Sequence, residues 1–180
     1  MAYSSYGDSC NSTWQHGYVK MNGVGVWYAS WCGVYPQLRG VNIVLIDPFK
    51  CTRLESRQFD TYDSANAATQ LSGYLQQMIH GGVVVGVSAD SARRSLDNSL
   101  AFLQQFGVNV VDVHLRGSFV FIAQKYYPAK TVLRKVLTEE ESHIQAAHLS
   151  AIITGTPIQS FVKARLNRPY GLVLLFMIDI

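Results

Sequence analysis

Two nearly continuous runs of aliphatic residues constrain the fold of this chain more than any other feature. Gly40–Asp47 reads GVNIVLID and Val83–Val87 reads VVVGV. Runs of this length and composition are typical of strands that are buried on both faces. With 180 residues, of which 48% are hydrophobic and 15% are charged, the chain is long and apolar enough to build a core around such strands. The sequence therefore predicts one folded domain and excludes an intrinsically disordered protein.

Hairpin signals surround the first of these runs. Tyr18–Met21 and Val24–Tyr28 are strand-like segments on either side of Asn22-Gly23, which is a favoured two-residue turn. Thr52–Phe59 alternates weakly between apolar and polar residues, which predicts a second hairpin across Cys51. Two further strands are predicted at Val108–Leu115 and Ser118–Gln124, with a bend at Arg116-Gly117.

Apolar residues at helical spacing predict several helices. Asp63 is the expected cap of the first helix, and Thr138–Glu141 (TEEE) reads as a capping box that opens the last one. The predicted bounds are Asp63 to Gly82, Ser91 to Phe106, a start at Pro128, and Thr138 to about Ile152.

The two ends of the chain give weaker signals. Residues 1–16 are rich in Ser, Tyr and Asn without periodicity, and we expect them to form a flexible tail. This N-terminus has neither the basic nor the apolar region of a signal peptide, as expected for an incomplete chain or for an excerpt from a larger protein. No apolar stretch reaches the roughly 18 to 20 residues that span a bilayer. Tyr170–Ile178 (YGLVLLFMI) is about half that length and predicts a buried strand.

The cysteines and charges restrict the class of protein. Cys10, Cys32 and Cys51 fit no metal-binding CxxC spacing. Outside the cell two of them could pair and leave one over, whereas inside the cell all three would be small hydrophobic residues. The sequence leaves both alternatives open. Asn11-Ser12-Thr13 is an N-glycosylation sequon. The formal net charge of +3 comes from scattered Lys and Arg residues, which argues against a nucleic-acid-binding protein.

No recognisable catalytic motif occurs in the sequence. Asp47, Asp90 and Asp112 lie at or near the ends of predicted strands, where a doubly wound sheet would place a magnesium site. Turn formation, helix capping and strand alternation explain the same three residues more simply. The glycines and histidines fit neither a phosphate-binding loop nor an HExxH zinc site. We therefore predict a protein without enzymatic activity, metal site or cofactor.

Arginine and aromatic residues favour a binding site instead. Arg39 and Arg116 flank predicted strands and would form a polar pocket with a wall of aromatic rings. Such a pocket suits a sugar, because hydroxyl groups bind to guanidinium groups while C–H faces pack against rings. The alternative is that both arginines simply pair with nearby carboxylates. The candidate rings are Trp27, Tyr28, Trp31, Tyr62, Tyr126 and Tyr127.

Four segments occur in an order and spacing that point to a known family. They are Arg39–Ile46, Phe59–Tyr62, Gly82–Asp90 and Arg116–Phe121. Together they resemble the ILEI/PANDER-like domain family, also called the GG domain. The residues from Pro36 to Asp60 and from Lys130 to Ser142 (KTVLRKVLTEEES) are most similar to the version found in cell-migration-inducing, hyaluronan-degrading surface proteins. The resemblance implies a domain at residues 17–142, between the tail at residues 1–16 and a C-terminal extension of uncertain structure at residues 143–180.

The resemblance implies an α+β fold in which two β-sheets pack together and are flanked by short helices. It also implies a single domain without an active site of its own. Stand-alone members of this family are secreted and cytokine-like, and a related domain in the stem of protein O-mannose N-acetylglucosaminyltransferase binds glycan. Carried over by motif, the carbohydrate-binding residues would be Arg39, Asp90 and Arg116.

The chain departs from the family pattern at three places. Gly117 stands where the stem domain has an acidic residue, and Lys125-Tyr126 stands where the family has Lys-Gly. Secreted members also carry paired cysteines, whereas this chain has three.

Two hypotheses about function follow from the resemblance and one from the residues. The first is a non-catalytic carbohydrate-binding or interaction module that works outside the cell or in the secretory pathway. The second is a secreted cytokine-like ligand that acts through a receptor protein. In either case the partner is a glycan or a cell-surface receptor and not a nucleic acid. The third is a small hydrolase or transferase that uses the strand-end aspartates.

Overall fold

Two antiparallel sheets organise the part of the chain that the computed structural model describes, which is residues 2–4, 15–30, 38–50, 52–89, 91–138, 140–141 and 147–149. The strands are β1 (Ala2–Ser4), β2 (Gln15–Met21), β3 (Val24–Ser30), β4 (Gly40–Asp47), β5 (Thr52–Phe59), β6 (Val83–Ala89), β7 (Ser118–Gln124), β8 (Val132–Val136) and β9 (Ala147–Leu149). The strand order is β5-β4-β6-β7-β8 in the central sheet and β3-β2-β1-β9 in the outer sheet. The helices are α1 (Ala65–Gln77) and α2 (Asp97–Gln105).

The central sheet is covered on both faces. One face packs on the outer sheet through residues such as Val44 and Val85, together with Val19 and Trp27 of the outer sheet. The other face packs on the helices through residues such as Phe121 of β7. Because side chains alternate between the two faces of a strand, a sheet covered on both sides requires apolar residues at nearly every position. This explains the aliphatic runs in β4 and β6 and confirms the predicted α+β fold.

Both predicted hairpins are present. Asn22 and Gly23, with φ angles of 50° and 78°, form the turn between β2 and β3. Such positive φ angles at both central residues are typical of a type I′ turn. β4 and β5 form the second hairpin, and the Asp47 carboxylate accepts the backbone N–H groups of Phe49 and Lys50 within its turn.

The segment between α2 and β7 differs from the structure that the sequence predicts for it. Val108–Leu115 was predicted as a strand, but within this segment the described residues form turns and no strand ladder. The Asn109 side chain accepts the N–H of Val111, and Val113 donates to the carbonyl of Val110. Local bonds of this kind replace a ladder, while Val108, Val110 and Val113 are buried in the helix-side core.

Three predicted helices also differ from the structure. Helix α1 is capped by Ser64, whose Oγ accepts the N–H of Ala67, and not by Asp63. Helix α2 begins at Asp97 rather than Ser91. The residues after Pro128 form one short 3₁₀ turn and then β8, because their apolar side chains are required in the central sheet.

Thr138 caps the start of the predicted helix, with Glu141 bound to Leu137 instead of Thr138, but the long helix predicted after it does not form. Thr138 Oγ1 accepts the N–H of Glu141 at 3.2 Å, and the Glu141 carboxylate accepts the N–H of Leu137 at 3.0 Å. Strand β9 follows at Ala147–Leu149 and pairs with β1, so the helix cannot reach Ile152.

The ends contribute to the outer sheet. Residues 2–4, which were assigned to a flexible tail, form β1 between β2 and β9. The domain boundary predicted at residue 17 lies inside β2.

The three cysteines, the sequon at Asn11 and the apolar run Tyr170–Ile178 lie outside the described residues. Within the described residues, we find no helix with the length and apolar character to cross a membrane.

Candidate functional site

Strand pairing brings two of the three predicted site residues, Arg39 and Arg116, to one edge of the central sheet, where β4 and β7 begin and β6 ends. Gly40 at the start of β4 lies opposite Ala89 at the end of β6. Phe119, next to the start of β7, donates its N–H to Ser88 of β6 at 2.8 Å. Arg39 and Arg116 immediately precede β4 and β7, and they therefore lie at this same edge. Asp90 follows Ala89 in the sequence but lies outside the described residues.

Arg39 is held rigidly by two carboxylates. Its Nε donates to Asp60 Oδ1 at 3.0 Å and its Nη2 to Asp60 Oδ2 at 2.7 Å, so the pair is bidentate. The same Nη2 lies 3.2 Å from Asp63 Oδ2. The guanidinium carbon also lies 4.8 Å from the centre of the Tyr62 ring. Bidentate pairing combined with ring stacking fixes the plane of the guanidinium group.

A second arginine approaches the same ring. The Arg94 guanidinium carbon lies 5.3 Å from the centre of Tyr62, which therefore interacts with two cations. Arg93 next to it makes an ion pair with Asp97 in the first turn of α2. We call the group of Arg39, Asp60, Tyr62, Asp63, Arg94 and Arg116 the arginine edge.

The loop after β5 is tied to the segment before α2 by hydrogen bonds. Thr61 Oγ1 donates to the carbonyl of Ala92 at 2.7 Å, and Ser95 donates its N–H to the carbonyl of Thr61 at 2.7 Å. Thr61 is fully buried, so this connection excludes water. The loop therefore presents Asp60, Tyr62 and Asp63 from a fixed position.

Close packing at Gly40 sets the distance between this loop and β4. Gly40 has a φ angle of +97°, and a Cβ atom there would lie 2.2 Å from the carbonyl oxygen of Phe59. A side chain would therefore push the loop away from Arg39. Gln58 adds a hydrogen bond of 2.8 Å from its Nε2 to the carbonyl of Arg39.

Arg116 reaches this edge in an unusual backbone conformation. Its φ angle is 63°, in the left-handed region that residues other than glycine rarely adopt. Its N–H donates to Ser91 Oγ at 3.3 Å. The following residue, Gly117, is buried, and a Cβ atom there would lie 2.6 Å from the carbonyl oxygen of Leu137. An acidic residue would not fit at this position without a backbone shift.

Of the three strand-end aspartates, the structure describes Asp47 and Asp112, and these two do not share a site. Asp47 ends β4 at the opposite edge from Ala89, because β4 and β6 are antiparallel. Hydrogen bonds from the N–H groups of Lys50 and Phe49 lower the pKa of the Asp47 carboxyl. The Lys135 ammonium group lowers the pKa of Asp112, which it binds through both carboxylate oxygens. Among the residues that the structure describes, no three His, Cys, Asp or Glu side chains are grouped so that they could hold a metal ion.

The predicted stacking wall is only partly assembled. Tyr62 belongs to the arginine edge, whereas Trp27 is buried between the two sheets and Tyr126 follows the far end of β7. Trp31 lies outside the described residues. Sequence reasoning missed the roles of Asp60, Asp63 and Arg94. The sequence does indicate Asp60 and Asp63, because they lie beside Tyr62 directly after a predicted strand. It gives no indication for Arg94, because the approach of Arg94 to Tyr62 depends on the tertiary fold.

Comparison with known families agrees with the predicted resemblance. Residues 39–125 match the family model described as ILEI, Interleukin-like EMT inducer, from Arg39 through the end of β7. A search of curated proteins finds no match to the chain. Residues 39–125 of this chain therefore form a domain of the interleukin-like EMT inducer family.

Proposed function

We propose that this domain is a non-catalytic carbohydrate-binding module that works outside the cell or in the secretory pathway. The observation that supports it best is the arginine edge: Arg39 precedes Gly40, which pairs with Ala89 at the end of β6, and the N–H of Arg116 donates to Ser91 Oγ just beyond that end. The finer assignment of Asp90 as a third sugar-binding residue is part of the same proposal.

The chemistry of the arginine edge fits a sugar. Asp63 keeps 67% of its side chain exposed while it contacts Arg39, so its carboxylate can still accept hydrogen bonds from hydroxyl groups. Guanidinium N–H groups donate hydrogen bonds to the oxygen atoms of such hydroxyl groups. Tyr62 adds an aromatic ring beside these charges, and C–H faces of a sugar can pack on such a surface. The hydrogen-bond donors, the acceptors and the ring are held in fixed positions before a ligand binds. Because little ordering is then needed on binding, contacts that are individually weak can together bind a sugar.

We expect binding without catalysis at this edge. Hydrolysis of a glycosidic bond uses two carboxyl groups with separate roles on either side of the bond. Asp60 and Asp63 instead share one partner, Arg39, and lie on the same loop. This arrangement holds the arginine in place and gives Asp60 and Asp63 no separate roles on either side of a bound sugar.

The family description favours a second candidate function. The family is described as interleukin-like, which suggests a secreted ligand that acts through a receptor protein. On this alternative the arginine edge contributes to a protein interface, and its charges guide association rather than sugar recognition.

A glycan array with matched arginine variants distinguishes the two functions. We expect the purified protein to bind one class of sugar and Arg116→Ala to weaken this binding by about 1 to 3 kcal/mol, as for a lost charge-assisted hydrogen bond. Arg134→Ala, which removes an exposed arginine from β8, is the control and should bind normally. Circular dichroism should show that all three proteins are folded. No binding to any glycan by the folded protein would reject the carbohydrate proposal and favour the receptor ligand.

A further inference from the structure

A second cleft opens at the opposite edge of the central sheet, where β7 ends. Its volume is about 210 Å³. We call it the Tyr126 cleft, and its lining residues are Gln76, Phe102, Gln105, Phe106, Lys125 and Tyr126. Strand β7 has seven residues, so its two ends are separated by about 20 to 25 Å. A ligand of one sugar ring cannot bridge the two edges.

Tyr126 combines backbone strain with exposure. Its φ angle is 71°, and the other non-glycine residues with positive φ in the described part of the chain are Asn22 and Arg116. Asparagine is common in this conformation and Asn22 lies in a tight turn, whereas tyrosine is unusual there. Tyr126 is nevertheless 63% exposed and adds little to the core. Strain that persists at an exposed aromatic residue is a feature of binding sites.

Neighbouring groups hold the Tyr126 ring in position. The His80 ring stacks on it with a centroid distance of 4.8 Å and an interplanar angle of 27°. The Lys125 Nζ lies 5.3 Å from the ring centre. The ring is therefore presented as a supported platform despite its exposure.

The ammonium group of Lys125 is hydrogen-bonded within the protein itself. The side chain is buried, and its Nζ donates to the carbonyl groups of Gln76 and Met78 at the end of α1. These bonds satisfy carbonyls that the helix itself leaves without donors. Lys125 therefore directs these hydrogen bonds to α1 rather than to a ligand in the cleft.

The remaining groups around the cleft are neutral. Gln76 and Gln105 provide side-chain amides that both donate and accept hydrogen bonds. Phe102 and Phe106, with ring centroids 5.7 Å apart, provide an aromatic wall beside these amides. Small-molecule pockets commonly have volumes of about 300 to 1,000 Å³, so a cleft of about 210 Å³ accommodates a single ring rather than a larger ligand.

We propose that the Tyr126 cleft is a second binding site, which takes one neutral pyranose ring. The sugar packs its C–H face on Tyr126, and the amides of Gln76 and Gln105 bind its hydroxyl groups. This site is separate from the arginine edge and goes beyond the function proposed for it.

Nuclear magnetic resonance titration of the ¹⁵N-labelled protein with methyl glycosides of neutral hexoses and N-acetylhexosamines tests the proposal. We expect the side-chain amide signals of Gln76 and Gln105 and the backbone signal of Tyr126 to shift with one of these sugars. Tyr126→Gly should weaken this binding about tenfold or more, because it removes the platform. Glycine is relaxed at this φ angle, so the variant should fold with an equal or higher melting temperature.

Two control variants make the result specific. Tyr126→Phe keeps the ring and should retain sugar binding at this cleft. Arg116→Ala should also retain it, whether or not the arginine edge binds glycan, so the two proposals fail independently. The proposal is rejected if no glycoside shifts these signals, or if Tyr126→Gly binds as well as the unchanged protein. Binding of a proline-rich or aromatic peptide in the cleft, without any sugar binding, would also reject it.

Discussion

The arginine edge and the Tyr126 cleft lie at opposite ends of β7 and use charge in opposite ways. At the arginine edge, Arg39 pairs with Asp60 and Asp63 and remains partly exposed, so charged groups stay in contact with solvent. At the cleft, the charged lining residue Lys125 is buried and bound to the carbonyls of α1. The comparison shows that one domain can present a charged and a neutral surface from the two ends of a single strand.

Helix α1 connects the two ends. Its cap Ser64 directly follows Asp63 of the arginine edge, and its last carbonyls are bound by Lys125 at the cleft. Tyr74 in the second half of α1 packs on Phe59 of β5 with a centroid distance of 5.6 Å. Loss of α1 would therefore affect both surfaces, whereas a local change should affect only one.

Gly40→Ala should have the largest effect, because it strains the arginine edge. The new Cβ would lie 2.2 Å from the carbonyl oxygen of Phe59, at a φ angle of +97°. We expect a loss of about 3 to 5 kcal/mol in the free energy of unfolding. Gly23→Ala is the control, since Gly23 has a φ angle of +78° but nothing within 4 Å of its Cβ position. It should cost about 1 kcal/mol. Urea denaturation measures both, and equal losses would show that the packing at Gly40 does not constrain the edge.

Lys125→Met should lower the free energy of unfolding more than Arg39→Met does. The first change removes buried hydrogen bonds to two helix carbonyls, which we expect to cost about 2 kcal/mol. The second breaks an ion pair whose side chains are 22% and 30% exposed, and solvent screening limits the loss to about 1 kcal/mol. The measurement is the free energy of unfolding in urea at neutral pH. If Arg39→Met lowers the free energy of unfolding more than Lys125→Met, then the buried charge of Lys125 does not contribute more to stability than the partly exposed charge of Arg39, and the comparison is wrong.

The difference between the two ends also explains what the sequence could predict. Aliphatic runs predicted β4 and β6 because a doubly covered sheet leaves its pattern along the chain. Arg39 and Arg116 were predicted as site residues by motif, and their common edge follows from strand pairing. The role of Lys125 could not be predicted, because it caps a helix that precedes it by many residues and depends on where β7 ends.

The incorrect predictions share a physical cause. Val108–Leu115 has the composition of a strand, but the Asn109 side chain and local turns satisfy its backbone instead. The residues after Pro128 have helical spacing, but β7 offers an unpaired edge to which they add as β8. In both segments tertiary partners, which the local pattern does not show, decided between two structures of similar local preference.

The stability of the connection through α1 should depend on pH at the alkaline end. Burial and the hydrogen bond from its hydroxyl group to Glu55 raise the pKa of Tyr74 well above its ordinary value of 10.0. The unfolded chain then releases this proton at lower pH than the folded protein. The contribution of Tyr74 to stability is therefore complete below about pH 10 and is lost as the pH rises further, by at most about 1.4 kcal/mol per pH unit.

Tyr74→Phe checks this pH dependence. Urea denaturation between about pH 9 and 11 should show a smaller loss of stability with rising pH in this variant than in the unchanged protein. Glu55→Gln keeps the tyrosine and removes the negative charge, so its loss should be intermediate. An identical slope in all three proteins would contradict the assignment to Tyr74.

Backbone strain at the two ends of β7 should produce the smallest effects, and they should have the same sign. Arg116 and Tyr126 have φ angles of 63° and 71°. At each position we compare the glycine variant with the alanine variant, because both remove the side chain and differ mainly in backbone strain. The glycine variant should be more stable than the alanine variant by about 0.5 to 1 kcal/mol, after allowance for the greater entropy of its unfolded chain.

Thr69, on the exposed face of α1, provides the control for this comparison. Within a helix, Thr69→Gly should be less stable than Thr69→Ala by about 1 kcal/mol, which is the opposite sign. Thermal unfolding monitored by circular dichroism measures all three differences. A gain at only one end of β7 would mean that the backbone is strained at that end alone, whereas equal gains would show that both ends hold a strained residue at a cost in stability.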